Sequence, residues 1–94
     1  MLRRYRLASG TADAFLAWWS AHIPPLREAA GFRIEWAYLD REQETFTWAI
    51  THPGDRSAFE AAEAVYAALP ERVEAIAVAP PLDEASIGYP ERVR

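Results

Sequence analysis

The chain contains no cysteine, no lysine and no asparagine. Without thiols there is no disulfide, no thiolate nucleophile and no cysteine-based metal site. All ten basic side chains other than the two histidines are arginine, a bias of composition rather than a chemical signature. Glycine is scarce, four in 94 residues, and none falls in a phosphate-cradling loop or a dinucleotide fingerprint; no serine nucleophile motif is present either. No run is long and apolar enough to span a bilayer. Met1 to Arg6 carries basic residues with no apolar run behind them, so no export signal is expected. Positive charge is outnumbered: ten arginines against fourteen acidic residues give a formal net charge of −4. That balance argues against nucleic acid or an anionic membrane as the main partner. The expected setting is therefore soluble and cytoplasmic.

What is present is apolar and aromatic. The hydrophobic fraction is 51%, with four tryptophans. This suffices for one domain over residues 1–94 with a small core, and domains of this size often gain stability by association.

The most informative stretch runs from Phe32 to His52. Phe32 to Leu39 and Thr45 to His52 each alternate apolar with polar or small residues, the period of a half-buried strand, and their β-branched and aromatic residues suit a pleated surface. Asp40 to Glu44 between them is polar and lacks glycine and asparagine, so a loop longer than a two-residue turn is expected. Pairing Asp40 with Glu44 places Tyr38 opposite Phe46, Trp36 opposite Trp48, Ile34 opposite Ile50 and Phe32 opposite His52, all on one face. Such pairs contribute roughly 0.2–1 kcal/mol each. The other face then carries Arg33, Glu35, Ala37, Thr47, Ala49 and Thr51.

Leu2 to Ala8 reads as a first strand, with Arg3, Tyr5 and Leu7 on one side and Arg4 and Arg6 on the other. Ser9-Gly10 ends it, and Thr11 is placed to cap a helix from Ala12 to about His22 with Phe15, Trp18, Trp19 and Ile23 as its buried stripe. Pro24-Pro25 is expected to break or kink it, with a further turn from Leu26 to Ala30 and a stop at Gly31. After Pro53-Gly54, Asp55 or Ser57 caps a second helix over about Arg56 to Ala68, with Phe59, Ala62, Val65, Tyr66 and Leu69 at helical spacing. Pro70 starts a short helix to Ile76. The last strand falls at Ala85 to Tyr89 or, alternatively, at Ala75 to Ala79. The order is β-α-β-β-α-β, an α+β ferredoxin-like pattern: one antiparallel sheet with the helices on one face. The other face needs cover, and a symmetric homodimer is the commonest remedy.

Leu2-Arg3-Arg4-Tyr5-Arg6-Leu7, Phe15-Leu16-Ala17-Trp18 and Pro25-Leu26-Arg27-Glu28-Ala29-Ala30-Gly31-Phe32 resemble the start of NIPSNAP-like proteins. So does Phe46-Thr47-Trp48 followed by a helix ending Tyr66-Ala67-Ala68-Leu69-Pro70-Glu71-Arg72. The likeness spans about Leu2 to Ala77. It implies a dimeric α+β barrel, in which two sheets pack face to face across a homodimer and enclose a cavity for a small hydrophobic or aromatic molecule, with no cofactor and no settled reaction. Relatives on the same fold include cofactor-free monooxygenases of quinol- or phenol-like substrates and haem-degrading enzymes. The latter use an Asn-Trp-His set; here Trp48 and His52 stand without any asparagine.

Candidate site residues follow, each with a plainer alternative. His52, at a strand end, suits a general base, or simply faces water. His22 lies near the first helix's apolar stripe and reads as a rim residue. No acidic residue is spaced to complete a metal site with either histidine. Trp36 and Trp48 suit stacking on a flat substrate, or form core. Arg4, Arg6, Arg33, Glu35 and Thr47 belong to the face away from the helices, since charge beneath helices is costly unless paired; they suit an acidic or phenolate-like ligand, or an intersubunit salt-bridge network. Tyr66 suits a hydrogen bond at a barrel mouth, or packs at a helix end with its hydroxyl in solvent. Glu60, Glu63, Glu71 and Glu74 read as solvated helix faces. Three functions are compatible with this set: a ligand-binding barrel, a monooxygenase using His52 as base and Arg6 to hold an anion, and a non-catalytic interaction module.

Overall fold

The computed structural model describes residues 1–94. Four strands, β1 (Leu2–Leu7), β2 (Arg33–Asp40), β3 (Thr45–Thr51) and β4 (Leu82–Gly88), form one antiparallel sheet in the order β2-β3-β1-β4. Helices α1 (Ala12–Ala29), α2 (Arg56–Ala67) and α3 (Pro70–Ala77) cover one face. This is the ferredoxin-like β-α-β-β-α-β arrangement. The last strand includes the Ala85 candidate; Ala75, the rival, lies in α3.

Helix α1 runs unbroken through Pro24 and Pro25, contrary to the expected interruption. The two prolines withdraw donors from the carbonyls of Ser20 and Ala21, and both residues are exposed, so water can take the place of the missing bonds. The helix ends in a Schellman motif: the Gly31 N–H reaches the Glu28 carbonyl at 3.0 Å and the Phe32 N–H the Arg27 carbonyl at 3.0 Å. Gly31 adopts the left-handed conformation this ending requires, φ +88°. Asp55, not Ser57, caps α2, accepting from the Ala58 N–H at 2.9 Å.

The core is aromatic. Phe46 contacts Phe15 at 5.1 Å between ring centroids and Trp19 at 5.0 Å; Trp19 meets Trp48 edge-on at 5.3 Å. Leu7 and Ile50 fill the spaces between. Along α1 the buried residues are Phe15, Trp19, Ile23 and Arg27, a strict four-residue repeat whose last member is charged. Trp18 lies beside this stripe, half-buried, and donates its indole N–H to the Ala75 carbonyl at 2.9 Å, tying α1 to α3. On α2, Val65 is 67% exposed and does not belong to the core. The inward face of α2 is Phe59, Ala62, Glu63 and Tyr66, so Glu63 is not on a solvated face.

The hairpin register corrects the one read from the sequence. Asp40 pairs with Thr45, not Glu44, which leaves a four-residue loop, Arg41 to Glu44. Glu44 takes φ +51°, held by the Leu7 N–H on its carbonyl at 2.8 Å and the Gly10 N–H on its carboxylate at 3.0 Å. The one-residue offset carries Leu39 opposite Phe46, Ala37 opposite Trp48 and Trp36 opposite Ala49. An irregularity at Glu35 then absorbs the extra residue, and Ile34 returns opposite Ile50. In consequence Ile34, Ala37 and Leu39 face the helices while Trp36 and Tyr38 face away. The sequence reading had placed Trp36 and Tyr38 in the core and Ala37 outside it.

Candidate functional site

The face of the sheet away from the helices is ordered in rows across the strands. One row is Trp36, Ala49, Leu2 and Gly88; the next is Tyr38, Thr47, Arg4 and Ser86; the third is Asp40, Thr45, Arg6 and Glu84. It therefore grades from apolar to polar to charged. Trp36 and Tyr38 are 40% and 69% exposed, with ring centroids 5.5 Å apart, so they form an aromatic shelf on strand β2. At one end of the face Arg33 sits 3.5 Å from Glu35, which also accepts from the Thr51 hydroxyl at 2.7 Å. At the other end Arg6 lies 4.0 Å from Glu84.

Arg4 differs from these two arginines. Its cross-strand neighbours are the neutral Thr47 and Ser86, and it forms no ion pair. Two open depressions meet at it, one shared with Arg6, Asp40 and Glu84, the other with Tyr38 and Thr47. From Arg4 across β3 to Tyr38 is two strand spacings, roughly 10 Å. An arginine engaged in no ion pair thus faces an exposed aromatic pair across a floor of threonine and alanine.

The helix side holds a second polar cluster. The Arg27 guanidinium forks onto Glu63: Nη1 meets one carboxylate oxygen, and Nη2 the other at 3.1 Å. Arg3 reaches the same carboxylate at 2.7 Å. Arg27 is only 2% exposed, and its guanidinium carbon lies 3.8 Å from the centroid of Tyr66, 4.7 Å from Phe32 and 5.5 Å from Trp48. Burial raises the pKa of Glu63, but the hydrogen bonds and charges of Arg27 and Arg3 outweigh it and hold the carboxyl below its ordinary range. Burial pushes the Tyr66 phenol above its ordinary value.

The structure brings Arg4, Arg6, Arg33, Glu35 and Thr47 onto one face. It does not bring Trp48, Tyr66 or His52 to them. Trp48 is core, on the opposite side of the sheet. Tyr66, expected at a barrel mouth or packed at a helix end with its hydroxyl in solvent, is a core residue only 2% exposed, with Arg27 over its ring. His52 packs on Phe32 at 4.9 Å between ring centroids, with Nδ1 2.9 Å from the Pro53 carbonyl. His52 also lies seven residues along β3 from Thr45, the partner of Arg6, which is roughly 23 Å. No group of three or more His, Asp or Glu is placed to hold a metal, and no helix is long and apolar enough to cross a membrane.

Arg3 and Arg27 carry no site role in the sequence reading and Glu63 reads there as solvated, though each carries a signal. Arg3 shares strand parity with Tyr5 and Leu7. Arg27 continues the Phe15, Trp19, Ile23 repeat. Glu63 stands four residues after Phe59 and three before Tyr66. In all three cases charge concealed a position that periodicity marked as buried.

No family model and no curated protein matches the sequence. Solved structures do. An uncharacterized NIPSNAP domain protein from Burkholderia xenovorans superposes with a TM-score of 0.78 at 17% identity, over 90% of this chain and 84% of that one. A NIPSNAP-like domain protein from the same organism matches with a TM-score of 0.78 at 16% identity, over 90% and 76% of the two chains. A protein from Agrobacterium tumefaciens has a TM-score of 0.78 at 15% identity, over 98% and 92%. The chain therefore has the α+β fold of the NIPSNAP-like proteins.

Proposed function

We propose that this chain, a NIPSNAP-like fold in a single small domain, acts as a homodimer closed through its open sheet face, and that the space so formed binds a small planar aromatic acid. The observation that carries this reading is the position of Trp36 and Tyr38. The irregularity at Glu35 lifts both rings out of the core onto the uncovered face, where exposed aromatic surface is costly unless it meets a partner or a ligand. Arg4, unpaired on the same row as Tyr38, supplies the charge for a carboxylate or phenolate at the far side of the ring system. The neutral floor between them, Thr47 and Ala49, leaves room for a flat molecule.

No observation favours monooxygenase chemistry. The base considered for it, His52, packs on Phe32 far from Arg6, so the two do not converge on one substrate within a chain. Among the readings set out above, ligand binding retains the geometry.

Titration with 2-naphthoate tests the site, read by tryptophan fluorescence. Trp36 is the one tryptophan on this face; Trp18 and Trp19 belong to α1, and Trp48 is core. The expected result is saturable quenching that Trp36→Phe abolishes and Arg4→Gln weakens at least tenfold. Absence of saturable quenching in the native chain, or quenching untouched by Trp36→Phe, contradicts the proposal.

A further inference from the structure

On the helix side, a narrow crevice enters between α1 and α3 and ends against the sheet. Its volume is about 30 Å³, and Arg3, Trp19, Arg27, Trp48, Tyr66 and Arg72 are among the residues lining it. Four buried N–H donors in the structure lack an acceptor: Arg3 Nε, Trp19 Nε1, Arg27 Nε and Trp48 Nε1. All four belong to residues that line this crevice. Buried polar groups are nearly always satisfied, so four orphans around one space are a statement about what occupies it.

The occupant must supply acceptors for several donors at once. The side-chain acceptors lining the crevice are the phenol oxygens of Tyr5 and Tyr66, and the carboxylate of Glu63 is already engaged by Arg27 and Arg3. Three arginines, Arg3, Arg27 and Arg72, line the crevice with no carboxylate among them, and counting Glu63, which pairs with Arg3 and Arg27, the group carries a net +2. A single water accepts two hydrogen bonds and leaves two of the four donors without a partner, whereas one halide accepts from all four. The volume suits one or two waters or one ion of similar size, and is too small for a phosphate. We infer that this crevice binds one halide-sized monovalent anion, held by the indole and guanidinium N–H groups of Trp19, Trp48, Arg3 and Arg27, with Arg72 at the entrance.

The site is independent of the open-face ligand, since it lies across the sheet from Arg4 and Trp36. Its physical role is to join α1 to β1 and β3 through donors that otherwise face nothing.

Two measurements on the native chain test it. Unfolding is followed in chloride and in methanesulfonate at constant ionic strength, so that general screening is equal. An anion bound only by the folded state raises the folding constant in proportion to its concentration, about tenfold for each tenfold of chloride above the dissociation constant. Methanesulfonate, too large for the crevice, leaves it flat, and Arg72→Gln, at the half-buried entrance, shifts the chloride curve to higher concentration. Crystals grown in bromide should show an anomalous peak between the indole nitrogens and Arg27. Coincident chloride and methanesulfonate curves, water alone in the crevice, or a bromide peak with no chloride-linked stability (an adventitious ion only) each overturn the inference.

Discussion

Arg27 and Glu63, 36 residues apart in sequence, join α1 to α2 through a forked ion pair buried among aromatic rings, and Arg3 of β1 binds the same carboxylate. One acidic side chain thereby holds two helices and the sheet. Taking two charges out of water is expensive, and such a pair adds little over a well-packed apolar one; removing one member, however, strands the other.

Glu63→Gln is expected to destabilise the fold by about 3–5 kcal/mol, the usual cost of leaving a buried charge unpaired. Urea denaturation measures it. The double variant Arg27→Met/Glu63→Leu recovers only part of this, because Arg3 also loses its partner.

The same carboxyl sets the acid limb of stability. Glu63 has a folded pKa below its unfolded value of about 4.5, so the unfolded chain takes up the proton first as pH falls. Its contribution is complete above about pH 4.5 and is lost as pH drops through the lower, folded value. Glu63→Gln should flatten the stability profile across that window. An unchanged slope would show that the triad does not govern it.

Two tryptophans on neighbouring strands should respond oppositely. Trp48→Ala is expected to cost about 3–5 kcal/mol, as for a large core side chain. Trp36→Ala, measured at high dilution where chains are monomeric, should change stability by no more than about 0.5 kcal/mol, as for a surface site. Equal costs would mean that the two rings share a face, the regular register.

Gly31→Ala is expected to cost about 1–2 kcal/mol from its left-handed backbone. A Cβ there would lie 3.4 Å from His52 Nε2, an ordinary contact. The cost should therefore persist in a His52→Ala background, a double-mutant cycle giving a coupling under about 0.5 kcal/mol.

Element order and the sheet's two-faced character were legible because alternation in β1 and β3 and the four-residue repeat in α1 are uninterrupted. The register of β2 was not. A three-residue loop between Asp40 and Glu44 and a regular strand predict Ile34 opposite Ile50; so do a four-residue loop and one extra residue at Glu35. The two offsets cancel at Ile34, and the two registers differ only between them, from Trp36 to Asp40. Neither glycine nor proline marks the irregularity. The buried triad was hidden for another reason: the desolvation rule that places Arg33 and Glu35 outside the core also discourages placing Arg27 and Glu63 within it, and the exception depends on pairing that sequence spacing does not show. The continuous α1 likewise depends on solvent at Ser20 and Ala21.

Everything proposed for the open sheet face depends on its closure by a second copy of the chain. Sedimentation equilibrium at tens of micromolar tests it most directly, on the native chain and on Ala49→Arg, which places a charge between Trp36 and Leu2 in the apolar row. The expected masses are twice the 10.6 kDa of one chain for the native protein and 10.6 kDa for the variant. A native chain that sediments at 10.6 kDa, or a dimer that Ala49→Arg leaves intact, would contradict it.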